Sequence, residues 1–256
     1  RAGVLVLVAD LHFARRFPSS ESIRRSRPDP LDSRLPESEE ARQIRDTNVS
    51  PLFDVDAAVA HLSRKDRTMA RLIREVGPCR LTIAPRQTPY QALLESVVYQ
   101  QLTGKAAATI YARVCASFGS RRCPGPEKIA DAPEELLRAA GLSRSKVAAV
   151  KDLAQKSLAG EIPTRRAAER LSDSELVERL TSVRGIGTWT VEMFLIFTLG
   201  RPDVLPLDDY GVRKGFARTF GREVLPKPKE LLALGEKWRP YRTAASWYHW
   251  RALELE

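Results

Sequence analysis

Cysteine is scarce in this chain: Cys79, Cys115 and Cys123 are the only three in 256 residues. They are odd in number and widely spaced. They form no Cys-x-x-Cys pair and no run with zinc or iron–sulfur ligand spacing. The expected state is therefore reduced thiols in a cytosolic protein, nucleoid-associated if the source is bacterial. Long apolar runs are missing too. Nothing approaches the ~20 residues of a membrane span, so no membrane partner is expected. The apolar stretch Gly3 to Ala9 is too short and lacks a secretory cleavage pattern. The chain does not begin with Met, and its first residues are read as an incomplete or mis-started beginning. No run alternates regularly enough for a strand, and no repeat recurs at solenoid periods.

Positive charge is abundant. Lys and Arg number 42 against 32 Asp and Glu, a formal net charge of +10. Residues 1–50 carry nine Arg and eight acidic residues, so +9 falls on residues 51–256. The basicity belongs to the folded part and points to a polyanionic partner, most commonly nucleic acid. A generally basic proteome is the competing reading. A hydrophobic content of 43% over this length supports one globular domain or two closely packed ones.

The organisation follows from composition and period. Residues 1–50 read as a disordered tail, because Pro18-Ser19-Ser20, Arg27-Pro28-Asp29-Pro30 and Glu37-Ser38-Glu39-Glu40 bury too little apolar surface to offset ordering entropy. Residues 51–256 read as all-α. Asp54 caps a segment expected to run to Val76, with Val55, Val59, Leu62, Met69, Leu72 and Ile73 on its apolar stripe. Pro89 opens a helix where its missing N–H costs little. After the connector Gln100-Gln101-Leu102, Thr103 caps the next helix. Shorter helices are expected near 127–130, 133–140 and 145–158. Ser172 and Glu175 have capping-box spacing. Helices near 189–199, 209–220, 228–237 and 241–253 complete the set.

Residues 182–187 join the helix at 174–181 to the one that follows. Gly185 and Gly187 allow positive φ and leave backbone N–H groups bare at a helix N-terminus, a setting suited to a DNA phosphate. An ordinary helix–helix turn is the competing reading. Leu207-Asp208-Asp209-Tyr210 follows, with Asp209 lying 24 residues beyond Gly185.

Leu180-x-x-x-x-Gly185-Ile186-Gly187-x-Trp189-Thr190 resembles the helix–hairpin–helix of the DNA glycosylase superfamily, here at about residues 174–199. Asp209 falls where that superfamily keeps its catalytic aspartate. The branch it is most similar to is the 3-methyladenine DNA glycosylase II type. The resemblance extends to the segment from Gln100 to Ala107, to Gly141-Leu142-Ser143-x-x-Lys146, to Trp238-Arg239-Pro240-Tyr241-Arg242 and to Trp247-Tyr248-His249-Trp250. It spans roughly residues 55–253. It implies two helical subdomains with the active-site cleft between them. It also implies a DNA-3-methyladenine glycosylase II-like hydrolase that flips alkylated purines out of duplex DNA for base excision repair.

Such chemistry passes through an oxocarbenium-like sugar, which a carboxylate stabilises while it orients or deprotonates the attacking water. Asp209 is assigned that role and Asp208 a structural one. Both as simple helix caps is the competing reading. The base must leave the stack, and the family's wedge loop corresponds to Gln100, Gln101 and Leu102. Gln101 aligns with the wedge, and Leu102 is the alternative. A helix kink with glutamines capping backbone groups is the competing reading. Trp189, Met193 and Tyr99 are expected to line the base pocket, since a Trp face attracts a cationic methylated base. Trp247 and Trp250 are further wall candidates, with core packing favoured for each. Gly185, Gly187, Thr190, Arg213 and Lys214 are expected at the DNA backbone. A solvated basic face is the competing reading for the last two.

Bifunctional relatives place a Schiff-base Lys where Trp189 stands. Trp cannot form an imine, and the four-Cys cluster of the endonuclease III branch is missing, so no lyase activity is expected. An N-terminal sheet domain present in some type II members is also not evident. No cofactor is expected beyond a monovalent cation held by the main-chain carbonyls of Thr181, Val183 and Gly185. His249, in an aromatic helix, reads as structural. A monomer acting on double-stranded DNA with a damaged base is the expected state. The alternatives are a glycosylase for another lesion and a non-catalytic helix–hairpin–helix binding protein.

Overall fold

The computed structural model describes residues 53–84, 87–120 and 122–255. The expected tail at 1–50 lies outside the described residues. Among those residues there are thirteen α-helices and one 3₁₀ turn, with no β-strand beyond a single bridge residue at Ile83. The described chain falls into two compact units, residues 87–199 and residues 53–84 with 200–255.

The segment expected to run unbroken from Asp54 to Val76 is two helices, α1 (Val55–Lys65) and α2 (Arg67–Val76). Asp54 caps α1 through the Ala57 N–H at 2.9 Å. The break is at Asp66, which adopts extended backbone and accepts the N–H groups of Thr68 and Met69. Its other oxygen takes the Trp238 indole N–H at 3.1 Å and pairs with Lys237 at 2.8 Å. Helical periodicity continues through this point, but a carboxylate with four donors holds the backbone out of the helix.

In the unit of residues 87–199, α3 (Pro89–Tyr99) starts with a full capping box between Thr88 and Gln91 and has Pro at its first position. Its residues Pro89 to Val98 are all buried except Gln91. Then come α4 (Gly104–Ala116), α5 (Pro126–Asp131), α6 (Glu134–Ala139) and α7 (Arg144–Leu158). Thr103 occupies the N-cap of α4, but its side chain makes no capping bond. A one-turn helix, α8 (Arg165–Ala168), was not anticipated, because four residues carry no readable period. The Ser172–Glu175 box opens α9 (Asp173–Leu180), and α10 (Thr188–Phe197) closes the unit. α10 is apolar nearly all round and buries Val191 and Met193 to Phe197, as a helix enclosed by the core must. It packs on α3 and α9, while α7 packs on α3 and α5.

The remaining helices are α11 (Tyr210–Thr219), α12 (Pro228–Gly235) with the 3₁₀ turn Glu236–Trp238, and α13 (Arg242–Ala252). Every residue of α13 is buried. α13 packs on α11, α1 and α2. The crossing with α11 depends on glycine: a Cβ at Gly215 would lie 1.8 Å from the His249 carbonyl oxygen. His249 is fully buried with its ring against Phe216, Phe220 and Trp238, the structural place the sequence suggested for it.

Candidate active site

Asp209 is 1% exposed and is the N-cap of α11. Its Oδ1 accepts the Val212 N–H at 2.6 Å and the Trp250 indole N–H at 2.9 Å. The helix N-terminus adds positive potential at the same point. Donors and dipole together offset the desolvation that burial imposes on a carboxylate. The expected split between a capping Asp208 and a separate working Asp209 is corrected: Asp208 is exposed, and Asp209 itself makes the cap. Capping needs extended backbone just before the first helical residue, and only Asp209 has it there.

Two residues stand behind this arrangement, and one of them, Gly211, escaped the sequence reading. Trp250 was favoured as core packing; it is buried, but its N–H is spent on Asp209. Gly211 makes that approach feasible, since a Cβ there would lie 2.9 Å from Trp250 Cδ1 and 3.1 Å from Asp209 Oδ1. A readable signal existed. Gly211 and Gly215 sit four apart within a helix, where glycine is costly unless another chain segment comes close. Of the two basic residues that follow Asp209, Arg213 spends its Nε on the Pro226 carbonyl at 2.9 Å, and Lys214 is exposed over the Tyr210 ring.

In the unit of residues 87–199, the hairpin residues meet the connector. Gln100 Nε2 donates to the Gly185 carbonyl at 3.0 Å and faces the Thr190 hydroxyl at 3.5 Å. Thr190 is 4% exposed, and its hydroxyl backs Gln100. Only one of the two hairpin glycines uses positive φ. Gly185 has φ +76, whereas Gly187 has φ −100 and is the N-cap of α10. At Gly187 nothing lies within 4 Å of where a Cβ would stand, so neither φ nor crowding in the protein requires glycine there. Gln101 is exposed with φ +56, the sole non-glycine among the described residues with positive φ, and Leu102 is half-buried.

Trp189 is half-buried at the start of α10, and Met193 lies one turn on at 2% exposure. Tyr99 is half-buried and meets Tyr111 edge-on at 6.5 Å. The carbonyls of Thr181, Val183 and Gly185 alternate along the hairpin. That of Val183 accepts the Ile186 N–H at 3.1 Å, and that of Gly185 accepts Gln100. Each of these carbonyls keeps a second lone pair, and oxygen donors of this kind suit a hard monovalent cation. Among the described residues no group of three or more His, Cys, Asp or Glu side chains is placed to hold a metal ion. No described helix is long and apolar enough to cross a membrane.

Comparison with known proteins adds four findings. The family described as HhH-GPD superfamily base excision DNA repair protein matches residues 94–240. DNA-3-methyladenine glycosylase 1 of Schizosaccharomyces pombe is 41% identical over 199 residues, covering 77% of this chain and 87% of that protein. Among solved structures, the 3-methyladenine DNA glycosylase of the same organism, in complex with abasic DNA, superposes with TM-score 0.70 at 40% identity, covering 78% and 97% of the two chains. A DNA-3-methyladenine glycosidase from Bacillus halodurans superposes with TM-score 0.69 at 33% identity, covering 76% and 88%.

Proposed function

The chain belongs to the HhH-GPD superfamily of base excision DNA repair proteins, and from that premise we propose that it is a DNA glycosylase that releases alkylated purines from duplex DNA. The observation that carries the reading is Asp209, a buried carboxylate held by two N–H donors at a helix N-terminus.

In the reaction the C1′–N bond breaks and its electron pair leaves with the base. The sugar gains oxocarbenium character, and water oxygen adds at C1′. Asp209 stabilises the developing positive charge and orients or takes a proton from the water. Purines methylated at N3 or N7 already carry positive charge and leave readily. Trp189 offers them a π face, and Met193 extends the apolar wall. Gln101, with Leu102 as the alternative, fills the space left by the flipped nucleotide. Backbone N–H groups at the start of α10, just after Gly187, grip phosphate. Lys214 and the unspent nitrogens of Arg213 add phosphate contacts. A monovalent cation on the carbonyls of Thr181, Val183 and Gly185 would add positive charge beside the phosphate; no other cofactor is required. Since Trp189 offers no amine, the product is an abasic site in an uncut strand. A monomer suffices, and the site of action is wherever the cell keeps its DNA.

The test is base release from methylated duplex DNA, with free bases resolved by chromatography. Asp209→Asn keeps the shape and an acceptor for Val212. It should lower release of 3-methyladenine and 7-methylguanine by about 100-fold or more while DNA binding persists. Release retained by this variant refutes the assignment of Asp209. Release of uracil, hypoxanthine or oxidised purines in place of methylated ones would replace the substrate class. Binding without release of any base would replace the enzyme by a binding protein.

A further inference from the structure

α7 carries Lys146, Ala149 and Asp152 at three-residue steps, which place them on one face of the helix. Each meets one of two loops. Lys146 Nζ donates to the Val98 carbonyl at 2.7 Å and the Gln100 carbonyl at 2.8 Å. These oxygens belong to the C-terminal end of α3, where carbonyls lack helical partners and the dipole is negative. Ala149 Cβ lies 3.3 Å from the position a Cβ would take on Gly185, so α7 backs directly onto the hairpin. Asp152 Oδ2 accepts the Arg184 N–H of that hairpin at 2.7 Å. The Gln100 amide closes the circuit by donating to the Gly185 carbonyl.

Between the anchored Gln100 and α4 stands Gln101, exposed and left-handed at φ +56. A glutamine adopts this conformation only where its surroundings over-determine it. The over-determination here is visible: the carbonyl before it is fixed by Lys146, and the side chain before it by Gly185.

We infer that α7 is a common anchor that registers the 100–102 loop against the 182–187 hairpin, and that Lys146 is the positioning residue that holds Gln101 outward at the loop tip. The catalytic consequence rests on the reading of this loop as the segment that fills the flipped nucleotide's place. Burial pushes the Lys146 ammonium down to about 8, as expected of a cation whose partners are carbonyl dipoles and not a carboxylate. The Ser143–Lys146 segment thereby gains a physical role that the sequence resemblance alone did not specify.

Two measurements on the full chain separate this inference from the proposed function. The first is amide hydrogen exchange on the free protein, without DNA. Lys146→Met keeps the aliphatic stem and removes the donors. It should speed exchange across residues 99–103 by about tenfold while the core of α3 stays protected. Lys146→Arg, which restores donors to the same carbonyls, should recover most of the protection. Asp152→Ala should loosen residues 182–187 in the same way. The second is turnover of methylated duplex. Lys146→Met should lower kcat by about tenfold or more through misplaced geometry, with Kd for undamaged duplex changed less than about threefold because phosphate contacts dominate it. Lys146→Arg should recover kcat.

Unchanged loop exchange in Lys146→Met overturns the inference. Exchange raised uniformly over residues 87–199 without rescue by Lys146→Arg also overturns it, since Lys146 would then be a general stabiliser. Loosened loop exchange with undiminished kcat overturns the catalytic consequence. A wild-type chain that releases no base refutes the proposed function, while the exchange measurements still decide the anchoring role.

Discussion

Acid should weaken the unit that holds Asp209, and His249 sets the size of the effect. Its ring is fully buried among Phe216, Phe220 and Trp238, with ring centroids 5.6, 6.3 and 5.2 Å away. Neither ring nitrogen has a hydrogen-bond partner. Burial pushes the imidazole down to about 3 from its usual 6.5, against a small opposing pull from Asp66. A base with a depressed folded pKa stays neutral in the folded chain while the unfolded chain takes up the proton. The stability linked to His249 is therefore complete above pH 6.5 and is lost progressively as pH falls towards 3. The slope approaches about 1.4 kcal/mol per pH unit, so about 2 kcal/mol is lost between pH 8 and pH 5. The Asp66 carboxyl is opposed by burial but held below its usual value by Lys237 and Trp238, so its own linkage falls below this window. Urea unfolding followed by tryptophan fluorescence at pH 5, 6, 7 and 8 measures the effect. His249→Phe should show a flatter dependence than the natural chain by that amount. Carboxylates common to both chains cancel in the comparison. Parallel pH profiles for the two proteins would refute the reasoning.

Two further outcomes follow from the same geometry. Gly215→Ala places a Cβ against the His249 carbonyl, with no flexible side chain to yield. It should cost about 3 kcal/mol by forcing α11 from α13, read as a lowered urea midpoint; a midpoint equal to that of the natural chain would show that the helices part freely. DNA binding should weaken steeply with salt, with each neutralised phosphate steepening the log–log slope by about 0.9. Titration of a fluorescent duplex from 50 to 200 mM salt checks this, and a flat response would contradict the role given to the +10 charge.

Much of the secondary structure was legible because its causes are local. The Ser172–Glu175 box, the Asp54 cap and Pro at the start of α3 act within three residues of a helix end. Sequence also located the hairpin and singled out Asp209. It misjudged the helix from Asp54 to Val76, because two of the four donors on Asp66 lie far along the chain, at Trp238 and its neighbour Lys237, beside the local N–H groups of Thr68 and Met69. It assigned the working role to Asp209 and a structural one to Asp208, but missed that Asp209 is itself the cap, since both have the composition of a cap and only backbone conformation tells them apart.

Sequence by itself determined the all-helical architecture of the described residues, the chain's basic charge, the hairpin glycines and a carboxylate at the head of a helix, since spacing and capping are properties of neighbours. Tertiary structure alone decided that Asp209 is buried, that Trp250 from 41 residues away donates to it across a glycine-lined helix crossing, and that Lys146 and Asp152 of α7 pin two distant loops. Burial and long-range donors depend on which helix faces pack together, and that packing is fixed by the whole chain at once.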